Sequence, residues 1–276
     1  MERSLLLVQL NICNHYLIVN RIIKIGLFGT GKVGKLLIES LLENKNDGVL
    51  LSTIYARNEC KIKENVIITN DIDKLLDSSD VIIDFSSPLG LINLLSSALN
   101  NPRPIVTGTT GLNEDEKLYL LKASSKMPIL HASNMSRGIS VLNKLIKIAS
   151  EKLKDSNIEI IEMHHKYKKD SPSGTALMLA NTCIESRGLS NDNLRLNGRN
   201  GIIGERNNDE ICLHAMRGGD IVGKHVVGFY LDGEYLELSH TATNRMTFVN
   251  GAIYASKWIF NKPNALYSIE NVLGDI

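Results

Sequence analysis

Six residues, Gly29-Thr30-Gly31-Lys32-Val33-Gly34, constrain this chain more than any other stretch. They follow the apolar run Ile22 to Phe28, broken only by Lys24 and Gly26, which suits a strand buried in a parallel sheet. A helical pattern from Lys35 to Leu42 comes next. A lone GxGxxG is a weak signal, but strand, glycine loop and helix in that order form the context of a dinucleotide-binding unit. Gly29 permits the tight turn, Gly31 lets a pyrophosphate approach the backbone, and Gly34 lets helix and strand pack closely.

The following residues extend this unit into a sheet. A second strand is expected over Val49 to Tyr55, and it runs out into Ala56-Arg57. The residue after this strand meets the adenosine ribose, where a carboxylate favours NAD and an arginine can accept the 2′-phosphate of NADP. Arg57 stands there with no acidic neighbour; the plainer alternative is a surface arginine in a loop. Strands are further expected at Val66–Thr69, Val81–Phe85, Ile105–Thr107 and Ile129–Ala132. Helices are expected near Asp71–Leu76, Leu89–Leu99 and Asn113–Ala123. Alternating strands and helices mean a Rossmann-type, doubly wound parallel sheet, which binds ligands beyond the carboxyl ends of its strands. Asp84-Phe85-Ser86-Ser87, Gly108-Thr109-Thr110-Gly111 and Ala132-Ser133-Asn134-Met135 all fall at those ends.

The rest of the chain changes character. A long amphipathic helix is expected over Gly138–Leu153, then a strand over Ile158–Ile161, and a second helix over Ala176–Ile184. Glu185 to Glu210 is polar and reads as a long exposed loop. Ile211–Arg217, Gly223–Leu231 and Glu234–Ala242 read as strands, the last two joined by the hairpin signal Asp232-Gly233. This predicts an α+β second domain whose open sheet is largely antiparallel, with little helix cover. A helix resumes over 251–260, and a short segment closes the chain from Asn264. The domain reading is therefore an extension over 1–20, a dinucleotide domain over 21–135 completed by 245–276, and a second domain over 136–244.

Glu162 to Leu177 carries the densest chemistry. Two histidines (His164, His165) and three lysines (Lys166, Lys168, Lys169) precede Ser171-Pro-Ser-Gly-Thr, where Ser173 or Thr175 can cap the next helix. Amides at Gly174 and Thr175 would then face outward at a positive helix end, which suits a carboxylate or phosphate. A basic, solvated loop before an ordinary capped helix is the bland alternative. No third ligand stands at recognisable metal spacing from the two histidines, so no metal is expected.

Composition narrows the classes further. At 276 residues, with 43% hydrophobic and 22% charged residues, the chain has the make-up of a soluble globular protein of two domains. A net charge of +1 leaves no footprint for nucleic acid or membrane, and no apolar run approaches the roughly 20 residues of a membrane helix. Cys13, Cys60, Cys183 and Cys212 are scattered without CxxC spacing, which reads as reduced thiols in a cytoplasmic protein. Leu5–Leu10 is a short apolar run without a cleavage site, so residues 1–20 read as an extension or an early start rather than a signal peptide.

With these pieces placed, the chain from about Ile22 onward closely resembles the bacterial dihydrodipicolinate reductases. The resemblance rests on Glu162-Met-His-His-Lys-Tyr-Lys-Lys-Asp-Ser-Pro-Ser-Gly-Thr-Ala, supported by Val106-Thr-Gly-Thr-Thr-Gly, Arg217-Gly-Gly-Asp-Ile-Val-Gly-Lys-His and His240-x-Ala-x-x-Arg-Met-Thr-Phe. It implies reduction of 4-hydroxy-tetrahydrodipicolinate, a cyclic dicarboxylate, by NADPH or NADH, in a homotetramer built through the second domain's sheet. It also implies His164 and Lys168 as catalytic residues, and His165, Gly174 and Thr175 as contacts to the dicarboxylate. The implied nucleotide contacts are Gly29, Thr30, Gly31, Lys32, Val33, Gly34, Arg57, Gly108, Thr109, Thr110, Ala132, Ser133, Asn134 and Met135. The glycine loop is one residue shorter than in many members, and Ala56 stands where some carry an acidic ribose ligand. Hinges between the domains are expected near Met135–Gly138 and Asn244–Arg245. Outside this family, another Rossmann dehydrogenase of amino-acid metabolism, such as an aspartate-type enzyme, stays open; a non-catalytic nucleotide sensor would need neither His164 nor Lys168.

Overall fold

The computed structural model describes residues 21–43, 48–57, 65–196 and 198–274. The expectations for residues 1–20, Cys13 and Cys60 lie outside them. The described residues divide into two compact units: those from 21 to 132 with Val249–Val272, and those from 133 to 248 with Leu273 and Gly274. Ser133, Asn134 and Met135 pack with the second unit, so the compact units part three residues before the expected boundary after Met135.

In the first unit, the strands are β1 (Ile23–Phe28), β2 (Val49–Tyr55), β3 (Ile67–Thr69), β4 (Val81–Asp84), β5 (Ile105–Thr107) and β6 (Ile129–His131). Helices α1 (Lys32–Leu42), α2 (Ile72–Asp77), α3 (Pro88–Ala98) and α4 (Glu114–Ala123) alternate with them. All pairings are parallel, in the order β12-β6-β5-β4-β1-β2-β3, where β12 (Leu266–Tyr267) comes from the closing segment and extends the sheet beyond the sequence expectation. The uninterrupted apolar runs bury both faces: Val81, Ile82 and Ile83 are all fully buried. Local caps stop the chain from drifting. Asp71 accepts two first-turn amides of α2, and Asn113 with Glu116 forms a reciprocal capping box on α4. Strand order reverses between β1 and β4, which opens the crevice where such sheets take their ligands.

The second unit holds α5 (Arg137–Lys152), β7 (Asn157–His164), α6 (Gly174–Arg187), β8 (Leu194–Leu196), β9 (Ile211–Arg217), β10 (Gly223–Leu231) and β11 (Glu234–Ala242). The final helices are α7 (Met246–Ile259) and α8 (Ile269–Leu273). The sheet order is β11-β10-β7-β9-β8. It is mixed rather than largely antiparallel, because β7, β9 and β8 run parallel and only β10 pairs antiparallel on both sides. Gly233, at φ +88°, makes the expected hairpin turn between β10 and β11. The stretch read as a long loop contains a 3₁₀ turn at Asn191–Asn193 and the edge strand β8. One sheet face is covered after all. Ile158, Ile160, Ile211, Leu213, Val227 and Phe229 form one buried cluster with Ile139, Leu142 and Ile146 of α5 and Leu179 and Cys183 of α6. The opposite face keeps exposed apolar side chains, among them Met216 (53% exposed) and Tyr235 (66%).

Candidate functional site

The first candidate site is the cleft at the β1/β4 reversal, about 450 Å³, lined by Phe28 to Gly31, Tyr55, Arg57, Phe85 to Ser87 and residues of α3. Its shape is made by the backbone. Gly29 holds φ +108°, and a Cβ there would meet the Phe85 carbonyl oxygen at 2.5 Å. A Cβ on Gly34 would lie 2.0 Å from the Gly29 carbonyl, so the loop closes on itself only because both are glycine. Gly31 is different: nothing lies within 4 Å of its would-be Cβ, and it starts α1 without a side-chain cap. Open space over uncapped first-turn amides fits a pyrophosphate. Phe28 and Tyr55 stack at 4.4 Å on the cleft wall, a pair the glycine pattern did not announce. Arg57 is exposed at the rim.

Other residues expected at the nucleotide divide by what they already hold. Lys32 and Val33 begin α1, while Gly34 is buried and serves packing. Thr109 is buried, and its hydroxyl is committed to Asp84 Oδ2 (2.7 Å), which also accepts from Thr107 Oγ1 (2.6 Å). Asp84 Oδ1 accepts the Ser86 amide (3.1 Å). Burial pushes the Asp84 carboxyl up against these hydrogen bonds. Asp84 therefore braces the Gly108–Thr110 loop from below, leaving Gly108 half-buried and Thr110 exposed. Ala132 ends the first of the two stretches that make up the first unit.

The second candidate site lies where β7 runs into α6. β7 reaches His164, three residues beyond the expected end at Ile161, because its register with β9 and β10 continues through His164↔Arg217 and Met163↔Lys224. Glu162 and His164 thus share a strand face at i and i+2. Glu162 is fully buried, and all its oxygens are used. Oε2 accepts from His164 Nδ1 (2.6 Å) and Arg217 Nη1 (2.8 Å); Oε1 accepts from Arg217 Nη2 (2.8 Å) and the Ser173 amide (2.9 Å). Burial works to raise the Glu162 carboxyl, but the bonds from Arg217, His164 and Ser173 outweigh it and hold it below the ordinary carboxylate value. Burial pushes the His164 imidazole down, helped by Lys168 and Arg217 and resisted by Glu162.

An ionised carboxylate can only accept, so His164 carries its proton on Nδ1 and presents Nε2 as a bare lone pair beside Gly223. Lys168 Nζ is gripped by both oxygens of Asp170 (2.8 and 2.9 Å), whose backbone oxygen accepts from Arg217 (2.6 Å). Ser173, not Thr175, caps α6: its hydroxyl accepts the Ala176 amide (3.1 Å) and meets His225 Nε2 (3.2 Å). His165 lies 3.4 Å from Arg245, bringing a second cation from a distant motif to the turn. The turn therefore gathers His164, His165, Lys168, Gly174 and Thr175, and adds Glu162 and Arg217, for which no site role was expected, and Arg245, expected only near a hinge. A glutamate in the inward phase of a buried strand is the signal that could have found the Glu162–Arg217 pair.

One cluster among the described residues has ligand atoms close enough for a cation: Glu159, Cys212 and His214. Its carboxylate is already saturated by Arg199 (2.7 and 3.1 Å), Arg206 (3.1 Å) and His214 (2.8 Å). Burial opposes ionisation of Glu159, but the guanidiniums and His214 hold it at about 2. Two guanidiniums repel a metal ion, so this is an ion-pair network that ties the 198–210 segment to the sheet.

Residues 23–135 match the family model for the N-terminus of dihydrodipicolinate reductase, and residues 138–273 match that for its C-terminus. The chain belongs to the dihydrodipicolinate reductase family. A 4-hydroxy-tetrahydrodipicolinate reductase of Helicobacter hepaticus is 52% identical over 91% of this chain and 99% of the relative. One from Sulfurimonas denitrificans is 51% identical over the same shares. In fold, a dipicolinate-bound dihydrodipicolinate reductase from Paenisporosarcina sp. TG-14 superposes with a TM-score of 0.75 at 22% identity, covering 91% of this chain and 99% of that one.

Proposed function

We propose that the chain reduces 4-hydroxy-tetrahydrodipicolinate to tetrahydrodipicolinate with NADPH or NADH, a step of diaminopimelate and lysine biosynthesis. Family membership supplies the reaction class, and the Glu162-centred turn is the observation that carries the site. The bound nucleotide would be held by Gly29–Gly31, the first amides of α1 and Arg57, and it supplies the hydride. His165, Arg245 and the Gly174 and Thr175 amides would grip a carboxylate of the substrate. Loss of the substrate's 4-hydroxyl as water leaves a carbon conjugated with the ring nitrogen. Hydride added there drives electrons toward that nitrogen, where a proton must meet them, so that hydroxy substrate, NAD(P)H and one proton give tetrahydrodipicolinate, NAD(P)⁺ and water. Lys168 is the proton donor this geometry favours, since His164 is neutral and its only proton, on Nδ1, is donated to Glu162. His164 Nε2 then serves as an acceptor that orients or recharges the donor.

NADPH oxidation with the condensation product of pyruvate and aspartate semialdehyde tests the reading, and aspartate in the reverse direction tests the aspartate-type alternative. Turnover of aspartate alone would overturn it. Equilibrium binding of pyridine-2,6-dicarboxylate, a planar dicarboxylate without the reducible carbon, gives a second readout. Among the described residues no helix is long and apolar enough to cross a membrane, and the working compartment proposed is the cytoplasm. The exposed face carrying Met216 and Tyr235 supports a homotetramer assembled through the β7–β11 sheet. Sedimentation showing only monomer at micromolar concentration would rule that assembly out.

A further inference from the structure

Asn134 precedes α5 and was expected at the nucleotide, yet its side chain is fixed at both ends inside the second unit. Its Oδ1 accepts the Ser136 amide (2.9 Å), so Nδ2 must be the atom facing Thr175 Oγ1 at 3.1 Å. The backbone donor decides the amide orientation: a flipped amide would set N–H against N–H. A hydroxyl has one proton and two lone pairs, and Asn134 occupies a lone pair. The Thr175 proton cannot return to Nδ2, and among the described residues no acceptor takes it.

We propose that Asn134 is a positioning residue that holds the Thr175 hydroxyl as a hydrogen-bond donor for the substrate carboxylate. This rests on the reading of Gly174 and Thr175 as the carboxylate grip. Thr175 is the second residue of α6, and neither its amide nor that of Gly174 has a protein partner among the described residues. A hydroxyl free to rotate could offer a lone pair to an incoming carboxylate, which repels it. With one lone pair held by Asn134 and no protein acceptor for its proton among the described residues, Thr175 meets an anionic acceptor with that proton, and its second lone pair stays unused. The device selects an acceptor-only ligand at this helix end, beyond what two amides achieve.

Titration calorimetry of the full chain with pyridine-2,6-dicarboxylate, and separately with NADPH, tests the proposal. Asn134→Ala should weaken dicarboxylate binding about three- to tenfold, the worth of one oriented neutral hydrogen bond. Asn134→Asp keeps the acceptor for the Ser136 amide, and hence the start of α5, but places a second acceptor against the Thr175 hydroxyl. It should weaken binding more than Asn134→Ala does, and both variants should leave NADPH affinity within about twofold, less than one hydrogen bond is worth. On a Thr175→Val background, Asn134→Ala should add nothing, because its effect runs only through the hydroxyl. Additive losses on that background, or losses falling on NADPH instead, would overturn the positioning role. Wild-type protein that fails to bind the dicarboxylate would overturn the carboxylate grip itself. Wild-type binding with unchanged variants would overturn only the role of Asn134.

Discussion

The glycine loop and the turn after β7 solve the same problem with different material. Both stand where a parallel-paired strand ends and a helix begins, and both leave first-turn amides of that helix without a side-chain partner. At Gly29–Gly34 no side chain holds the junction; its form follows from a positive φ and from two backbones approaching more closely than a Cβ allows. At Glu162–Thr175 the junction hangs on one buried carboxylate, which binds a strand histidine, an arginine of β9 and the cap residue of α6. A backbone-built site fails sterically, residue by residue. A carboxylate-built site should fail electrostatically and all together. The difference also separates binding from chemistry: the first site needs shape, the second needs defined proton positions.

The largest effects should come from the proton-handling residues themselves. Lys168→Ala and His164→Ala should each lower kcat by about 10²–10⁴-fold, the usual range for a general acid or its partner. Lys168→Ala should leave stability little changed, whereas His164→Ala also removes a donor from the buried Glu162 carboxylate and should destabilise. Steady-state kinetics showing more than about a tenth of wild-type kcat in both would sink the assignment. Next comes the carboxylate. Glu162→Leu strands Arg217 as an unpaired cation and should destabilise by about 3–5 kcal/mol, the range for breaking a buried pair. The double substitution Glu162→Leu with Arg217→Met should recover much of the stability and none of the kcat. Recovery of activity as well would show that the network is only scaffold.

Acid should separate the sites without mutation. Burial, with His164 beside it, pushes His225 down to about 4 from 6.5. The folded state thus binds fewer protons than the unfolded chain between those values, and stability must fall as pH drops through that window. At about 1.4 kcal/mol per pH unit the loss approaches roughly 3 kcal/mol at its lower end. Denaturant unfolding of wild type and His225→Gln at pH 7 and pH 4 measures it; an equal acid loss in both proteins would remove His225 as the cause.

Within the glycine loop the contrast is steric. Gly34→Ala forces a Cβ against the Gly29 carbonyl and should cost about 1–3 kcal/mol, the range for overpacking. Gly31→Ala meets nothing and has an ordinary extended backbone, so its melting temperature should hold while the NADPH KM rises. Equal loss of stability in the two would contradict a junction held by backbone approach.

These sites were unequally legible beforehand. The strand, glycine loop and helix could be read because a positive φ, an open approach and an apolar run are local demands that six to fifteen neighbouring residues must satisfy. The identity of His164, Lys168 and Thr175 came through a motif. Their electrostatics did not, because Arg217 lies 55 residues from Glu162 and reaches it only through the parallel β7–β9 register. That register was itself hidden: a hairpin announces antiparallel pairing at Asp232-Gly233, whereas nothing local announces that β9 returns parallel to β7. The same limit hid the contact between Asn134 and Thr175, since a strand-end position in the chain order says nothing about a partner 41 residues away.

The smallest effect expected is at Arg57, and it tests whether the backbone-built site has any side-chain selectivity at all. Arg57 follows β2 on the rim of the cleft, exposed, with no carboxylate at Ala56 to claim a ribose hydroxyl. A guanidinium there pairs well with a 2′-phosphate, and a charged hydrogen bond is worth roughly 1.5–3 kcal/mol when shielded. Water and salt screen an exposed pair, so the lower end applies, about a tenfold change. Arg57→Ala should therefore lower kcat/KM for NADPH about tenfold and leave NADH nearly unchanged, with the difference shrinking as salt is raised. An unchanged NADPH-to-NADH ratio would make Arg57 a surface residue. The glycine loop would then bind the pyrophosphate common to both nucleotides and choose between them by nothing on this strand end.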